Sequence, residues 1–318
     1  MIALTHSSNR YQNIYRALVL IKDQLQKQIQ GKKSIIIKVN FVSTINQLSA
    51  THPQAVKACV DFLLANFPAL KKQKIIIAEG AAVGGTDRGW SNYGYTTIFK
   101  KYENIELFDL HQDQTVPVKI YKRNLKLKKE KIYKTIKDAD FLISITPPKT
   151  HDAVTVTLGI KNIAVGALKP SHKVLTDKIK RIFGGKFYRF SLHQGYQAIN
   201  LSLARLAKTI HPHLNIIDGF YGMQGNGPTH GDPVDWKITL AGLDCLEVDY
   251  FTAYLMGFDP QEIGYLYYLK KAWNPKLVIN KIKIVGQTNW QNLQKKFKPH
   301  TKYKKQSAWK IKDCKKFL

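Results

Sequence analysis

The chain has 318 residues, of which 44% are hydrophobic and 11% are aromatic. This length and composition suffice for one large or two medium-sized folded domains, and they argue against wholesale disorder. No apolar run approaches about 18 residues, so the sequence predicts no membrane-spanning helix. The formal net charge is +28, which raises the question of a nucleic-acid partner.

The positive charge comes mainly from lysine and is spread along the whole chain. Specific recognition of phosphates and bases relies more on arginine, whose planar fork makes paired hydrogen bonds. We therefore attribute the charge to surface composition and do not favour a nucleic acid as partner. The lysine-dense segment 294–318 leaves two alternatives open, a solvated extension, which we favour, or an arm that touches RNA or another anionic surface.

The three cysteines, Cys59, Cys245 and Cys314, lie far apart in the sequence. They form no CxxC pair, so we expect neither a zinc ribbon nor an iron–sulfur cluster. Unpaired cysteines are typical of a reducing compartment, and the first residues lack the pattern of a secretory signal. We therefore predict a cytoplasmic location.

Hydrophobic periodicity and turn residues predict alternating strands and helices. In chain order they predict a helix over 11–29, a strand over 33–42, a helix from His52-Pro53, strands over 74–78, 105–110 and 116–121, a short helix near 96–102, a helix over 131–138 and a strand over 141–145. The second half adds a helix over 197–210, strands over 214–217, 236–243 and 277–285, and helices over 246–256 and 260–272.

This alternation predicts the α/β class, with two α/β domains, mostly parallel sheets, helices on both faces and a cleft between the domains. We place an N-terminal α/β domain at 1–150, a second at 151–290 and a lysine-rich C-terminal tail at 291–318.

The strand over 141–145 stops at two prolines and delivers Lys149, Thr150 and His151 to its carboxyl end. Open α/β sheets bind ligands at that end of their strands. We predict that Lys149 and His151 bind an anionic substrate, with His151 as a general acid or base. The alternative is that Lys149 caps a loop and His151 bonds to the backbone.

The apolar segment 153–168 carries Lys161 and Asn162 in its middle. A buried charge costs several kcal/mol unless it is paired. A desolvated lysine has a lowered pKa and can act as a base, a nucleophile or an anion anchor. The alternative is that Lys161 reaches past the helix to solvent.

Two further strand ends carry candidate binding residues. Glu79 precedes a glycine-rich loop, where it serves either as a loop anchor or in catalysis. Asp218 precedes the glycine-dense segment 219–231, whose backbone N–H groups could approach a phosphate or carboxylate. The candidates in that segment are Gly225, Asn226, Gly227 and His230, and Asp218 could anchor it or bind a cation.

Taken together, these motifs resemble the domain-of-unknown-function 362 (DUF362) family over roughly residues 35 to 270. The resemblance rests on Lys38-Val39-Asn40, Thr51-His52-Pro53, Glu79-Gly80, Pro148-Lys149-Thr150-His151, Lys161-Asn162 and the run from Asp218-Gly219 to Gly225-Asn226-Gly227-Pro228. It favours a functional role for Lys161 and Asn162. Many members of that family carry a cysteine-rich ferredoxin-like module, which this sequence lacks, so no electron-transfer role is carried over.

The ten-residue step from His151 to Lys161, with His172 further on, is also similar to the lactate racemase family. In that family a histidine, a lysine and a second histidine surround a nickel-pincer nucleotide between two α/β domains. The resemblance implies the two-domain architecture and is compatible with a nucleotide-like or metal cofactor beside these residues. It assigns no metal ligands.

We therefore expect an enzyme, an isomerase or an oxidoreductase, that acts on a small carboxylate or phosphate by proton or hydride transfer. Its catalytic residues would be His151, Lys161 and Lys149. Its binding residues would be Lys38, Asn40, Glu79, Asn162, His172, Asp218, Gly225, Asn226, Gly227 and His230. The alternative is a non-enzymatic protein that binds an anion in the same cleft or RNA on its basic surface.

Overall fold

The computed structural model describes residues 1–170 and 192–317, with the backbone alone at 172–174 and 187–189. The strands are β1 (Ile2–His6), β2 (Ile35–Lys38), β3 (Ile75–Glu79), β4 (Ile105–Asp109), β5 (Thr115–Tyr121), β6 (Leu127–Tyr133), β7 (Phe141–Thr146), β8 (Lys149–His151), β9 (Thr155–Thr157), β10 (His172–Val174), β11 (Phe187–Arg189), β12 (Leu214–Asn226), β13 (His230–Gly242) and β14 (Ile284–Gly286).

The helices are α1 (Arg10–Leu20), α2 (Lys22–Ile29), α3 (Pro53–Asn66), α4 (Thr86–Asn92), α5 (Tyr95–Phe99), α6 (Lys134–Lys137), α7 (Gly159–Gly166), α8 (Tyr196–Thr209), α9 (Cys245–Leu255), α10 (Gly264–Trp273) and α11 (Tyr303–Gln306). Within the described part of the chain, no helix has the length and apolar character needed to cross a membrane.

Ten strands form one sheet in the order β14-β1-β13-β12-β7-β2-β3-β4, with β8 attached to β12 and β9 to β8. The run from β12 through β7, β2 and β3 to β4 is parallel, whereas β13 pairs antiparallel with both β1 and β12. The predicted α/β class with a mostly parallel sheet is thereby confirmed. Because β7 pairs with β12, the expected boundary near residue 150 falls inside one sheet, and the division into domains stays a prediction.

Helices cover both faces of this sheet, as a parallel sheet requires. Along β2, Ile35 and Ile37 pack in one buried cluster and Ile36 packs in the other, because successive side chains of a strand point to opposite faces. Residues of α1 to α5 complete the first cluster, and residues of α7 to α10 complete the second. The core is thus two apolar layers with the sheet between them.

Three predicted elements differ from the structure. Residues 2–6 form a strand that was not predicted, and the predicted helix over 131–138 begins as the end of strand β6 and is helical only over Lys134–Lys137. The glycine-dense segment 219–231, expected as a loop, forms the outer half of a long β12–β13 hairpin, with Asn226 opposite His230. Glycine is needed there for close packing, since a Cβ on Gly222 would lie 2.8 Å from the Phe297 ring.

The C-terminal segment is not a solvated extension. Phe297, Gln306 and Trp309 are buried against the rest of the protein. The indole of Trp309 donates to the carbonyl of Glu262 at 2.9 Å, and the hydroxyl of Tyr268 donates to the carbonyl of Trp309 at 2.9 Å. Its lysines are exposed, whereas Phe297, Gln306, Trp309 and Cys314 pack inward.

Candidate active site

The first turns of α7 carry Lys161, and a buried carboxylate fixes the start of that helix. Asp249 accepts backbone hydrogen bonds from Gly159 and Ile160, both at 2.9 Å, and a side-chain hydrogen bond from Asn215 at 2.8 Å. Burial raises the pKa of Asp249 to about 7, although these three donors act in the opposite direction. The start of α7 is therefore tied to α9 and β12, which fixes the position of Lys161.

A cavity of about 1140 Å³ opens where the parallel strands end. Its size is comparable with that of ligand sites in other proteins, about 300–1,000 Å³. The predicted site residues that line it are Lys38, Asn40, Glu79, His151, Lys161, Asn162, Asn226, Gly227 and His230. Strand ends, the apolar segment 153–168 and the DUF362 motifs indicated these residues separately, and the fold places them around one cavity.

Lys161 is 7% exposed and lines this cavity. Its Nζ makes no hydrogen bond or ion pair with any residue that the structure describes. Burial lowers its pKa to about 8, while the carboxylate of Asp152 acts in the opposite direction. Lys161 can therefore hold or release a proton close to neutral pH, and it can also attract an anion.

His151 lines the same cavity from the end of β8. Its Nδ1 accepts the backbone N–H of Ala153 at 3.0 Å, so the neutral ring carries its hydrogen on Nε2. Burial, followed by the charge of Lys161, holds the pKa of His151 well below its usual value. At neutral pH His151 is therefore an uncharged donor, and its Nε2 has no partner among the described residues. The predicted alternative, in which His151 bonds to the backbone, is therefore true of Nδ1. Nε2 stays available to a ligand.

Lys149 has a different environment, and it does not line the cavity. Its Nζ donates to Asn40 Oδ1 and, at 2.8 Å, to the carbonyl of Ser49. Burial drives its pKa well below the usual value. Lys149 therefore ties β8 to the loop after β2, as in the loop-capping alternative.

Asn162 continues this network on the cavity wall. Its Oδ1 accepts from Asn40 at 3.2 Å, and its Nδ2 donates to the carbonyl of Lys38 at 3.2 Å and to Ser144 Oγ at 3.0 Å. Both ends of the amide are in use. Asn162 therefore holds α7 against the ends of β2 and β7.

Lys38 and Glu79 form a buried ion pair with Nζ–Oε2 at 2.9 Å. Glu79 also accepts the backbone N–H groups of Phe41 at 2.9 Å and Gly80 at 2.8 Å. Burial lowers the pKa of Lys38, and the nearby Glu79 carboxylate acts in the opposite direction. Of the two roles considered for Glu79, these contacts favour loop anchoring.

The hairpin tip supplies the opposite wall. Gly227 packs so closely against β8 that a Cβ would lie 2.3 Å from the carbonyl oxygen of Thr150. Asn226 and His230 are exposed, and Asn226 Oδ1 accepts from Thr301 Oγ1 at 3.0 Å. Gly227 therefore allows close packing of the hairpin on β8.

The remaining predicted residues lie elsewhere. Gly225 does not line the cavity, and Asp218 lies in a second cavity of about 490 Å³, paired with Arg10 at 3.1 Å. His172 lies outside the residues whose side chains the structure describes.

Sequence reasoning missed several residues that line the cavity, namely Asp152, Thr157, His193, His300 and Lys302. Asp152 follows His151 directly, and its Oδ1 lies 3.1 Å from His151 Nδ1, so adjacency could have indicated it. The hydroxyl of Thr157 is buried and has no hydrogen-bond partner within the described residues. His300 and Lys302 come from the C-terminal segment, and no pattern in the sequence connects that segment with β8.

Within the described part of the chain, no group of three or more His, Cys, Asp or Glu side chains could hold a metal ion. Cys59, Cys245 and Cys314 are each buried. The described residues thus do not fit a metal cofactor.

The fold and the cavity define an α/β protein with a ligand-sized cavity, rich in lysine and histidine, at the carboxyl ends of its parallel strands. The family described as "Domain of unknown function (DUF362)" matches residues 35–254. The chain belongs to this family.

One curated relative is the thylakoid-associated protein sll1697 of Synechocystis sp. (strain ATCC 27184 / PCC 6803 / Kazusa), 30% identical over 143 residues. That match covers 44% of this chain and 38% of the relative, so it spans well under two thirds of the relative's length.

Two solved structures are similar in fold. The lactate racemase apoprotein from Thermoanaerobacterium thermosaccharolyticum is 14% identical, with a TM-score of 0.47, over 80% of this chain and 56% of that chain. A protein from Thermotoga maritima is 11% identical, with a TM-score of 0.42, over 70% of this chain and 53% of that chain. Likenesses at this level carry no inference about activity.

Proposed function

We propose that the cavity is the active site of an enzyme that binds a small carboxylate or phosphate compound and transfers a proton on it. One observation carries this proposal. Lys161 Nζ and His151 Nε2 are polar atoms of two buried side chains that line one cavity, and neither has a partner among the described residues. Polar atoms that face one cavity without a protein partner are available to a ligand, and groups with shifted pKa values gather at functional sites.

The two groups differ in a useful way. Lys161, with a pKa of about 8, exchanges its proton near neutral pH, whereas neutral His151 donates from Nε2. In its amine form Lys161 can take a proton from a carbon next to a carbonyl or carboxylate. The Nε2–H of His151 can then donate to the oxygen on which negative charge develops. An isomerase or racemase that moves a proton next to a carboxylate would use this chemistry.

The first test is binding of inorganic phosphate and malonate by calorimetry. Lys161→Met and His151→Gln should each weaken binding about 10-fold or more, since a hydrogen bond to a charged group contributes about 1.5–3 kcal/mol. Lys276→Met is the matched control, because Lys276 is exposed and does not line the cavity. A wild-type protein that binds neither anion would contradict the proposal.

The second test separates an enzyme from a binding protein. The protein is incubated in deuterated water with a panel of small 2-hydroxy, 2-oxo and phosphorylated acids, and NMR follows the loss of C–H signals. Catalysed exchange by the wild type that is lost in Lys161→Met supports proton transfer. Anion binding without exchange of any compound would favour the non-enzymatic alternative.

RNA binding stays a second candidate because the net charge is +28. Deleting the C-terminal segment would also disturb the fold, since Trp309 and Gln306 are buried. Replacing the exposed Lys304, Lys305 and Lys312 with glutamine removes charge and leaves those contacts intact. An RNA-binding protein should then lose affinity and show a weaker dependence on salt.

A cytoplasmic location also stays a proposal, supported by the three free cysteines.

A further inference from the structure

The turn that carries His151 and Asp152 contains an unusual backbone conformation. β8 and β9 form a tight antiparallel hairpin in which His151 pairs with Thr155. Thr155 has a φ of 67°, in the left-handed region. For a β-branched residue this is a true outlier, and such conformations cost about 1–3 kcal/mol and persist only where surrounding contacts impose them.

A single buried side chain holds both sides of this hairpin. Gln306, 2% exposed, donates from Nε2 to the carbonyl of His151 at 2.7 Å. Its Oε1 accepts from the hydroxyl of Thr155 at 2.8 Å. One amide thus bonds to the residue that bears the imidazole and to the strained residue opposite it.

Gln306 belongs to the C-terminal segment, beyond the residues 35–254 that match the family. The anchors described above, Trp309 on one side and the Thr301–Asn226 hydrogen bond on the other, hold the segment in place around Gln306. The same segment places His300 and Lys302 in the cavity wall. Lys302 also lies near the carboxylate of Asp152, with Nζ–Oδ2 at 3.7 Å.

We propose that Gln306 is a positioning residue that holds the β8–β9 hairpin in its strained conformation and thereby sets how His151 and Asp152 face the bound anion. This inference rests on the proposed function of the cavity. If Gln306 has this role, the C-terminal segment contributes to the function of the site.

The test compares Gln306→Met with Gln294→Met. Gln294 is a suitable control because its amide also donates to a carbonyl, that of Tyr254 at 3.1 Å, and it does not line the cavity. Two properties are measured, the pH titration of the His151 imidazole by NMR and the affinity for inorganic phosphate. In Gln306→Met the His151 pKa should rise towards the usual 6.5 as the ring gains solvent, and phosphate affinity should fall several-fold. Gln294→Met should change neither.

Two further variants keep the test decisive. Thr155→Val removes the hydroxyl that donates to Gln306 and keeps the bond from Gln306 to His151, so it should show part of the same shifts if Gln306→Met does not fold. Thr155→Gly in the Gln306→Met background should restore part of the affinity, because glycine adopts a positive φ without strain.

The outcomes are distinguishable. A lower melting temperature with an unchanged His151 titration and unchanged affinity would overturn the positioning role, and failure of Thr155→Gly to restore affinity would overturn the role of strain. If the wild type binds no phosphate, the proposed function fails, whereas the His151 titration still reports whether Gln306 positions the ring.

Discussion

Asp249 accepts the backbone N–H of Gly159 at 2.9 Å and so joins α9 to the first turn of the helix that carries Lys161. A Cβ on Gly159 would lie 1.8 Å from Asn215 Oδ1, so the helix can start in this place only with glycine. Asp249 therefore holds the start of the helix that carries Lys161.

Asp249→Ala should lower the free energy of unfolding by at least about 2 kcal/mol, because three buried donors lose their acceptor. Asp249→Asn should cost less, since it keeps one acceptor oxygen. Burial raises the pKa of Asp249 from 3.8 to about 7. The folded state therefore holds a proton that the unfolded state releases, and this group makes stability fall as pH rises from about 4 to 7. Urea denaturation at several pH values checks this, and an equal slope in Asp249→Asn would contradict it.

Lys161→Met should stabilise the protein at neutral pH. The pKa of Lys161 falls from 10.5 to about 8 in the folded state, a penalty on the order of 3 kcal/mol at pH 7. Because the unfolded state binds the extra proton, the penalty shrinks as pH rises through 8 towards 10.5. The advantage of Lys161→Met in urea denaturation should therefore shrink between pH 7 and 10, and Lys276→Met should show no such change. Equal stability of wild type and Lys161→Met at pH 7 would refute the lowered pKa.

His52 should contribute to acid sensitivity. Its Nδ1 accepts the N–H of Gln54 at 3.2 Å and so caps α3, which requires an unprotonated Nδ1. Burial and, second, the charge of Arg10 lower its pKa from 6.5 to about 4. Because the unfolded histidine binds its proton first, stability falls as pH drops from about 6.5 to 4. His52→Asn keeps an oxygen that can cap the helix and does not titrate. Its melting temperature should therefore fall less than that of the wild type between pH 6.5 and 4.

Lys38→Met should be strongly destabilising, by about 3–5 kcal/mol, since it leaves the Glu79 carboxylate buried without its cation. Adding Glu79→Gln should recover part of the loss, because the amide oxygen can still accept one of the two backbone N–H groups at this site. Chemical denaturation of both variants checks this prediction. If Lys38→Met were as stable as the wild type, the ion pair of Lys38 and Glu79 would not be buried in solution.

Much of the site could be predicted from the sequence. β-branched runs that end in polar residues identify β2, β3 and β7, and parallel strands bring their carboxyl ends to one edge. Glu79 and His151 were found in this way, whereas Lys38 came from the resemblance to the DUF362 family. The structure of the glycine-dense segment 219–231 was harder to predict. A glycine that allows a loop and a glycine that allows a ring to pack on a strand are the same letter in the sequence.

The sequence by itself determined the α/β class and the edge of the sheet where chemistry-bearing residues gather, because strand period and chain order are local properties. The tertiary structure alone decided which of these residues are free to act. Lys149 and Lys161 look alike in the sequence. The carbonyl of Ser49, 100 residues before Lys149, accepts a hydrogen bond from Lys149 Nζ, whereas Lys161 lines the cavity and has no hydrogen-bond partner among the described residues. Gln306 reaches His151 across 155 residues. Contacts between residues so far apart in the sequence depend on tertiary packing, and no local sequence pattern predicts them.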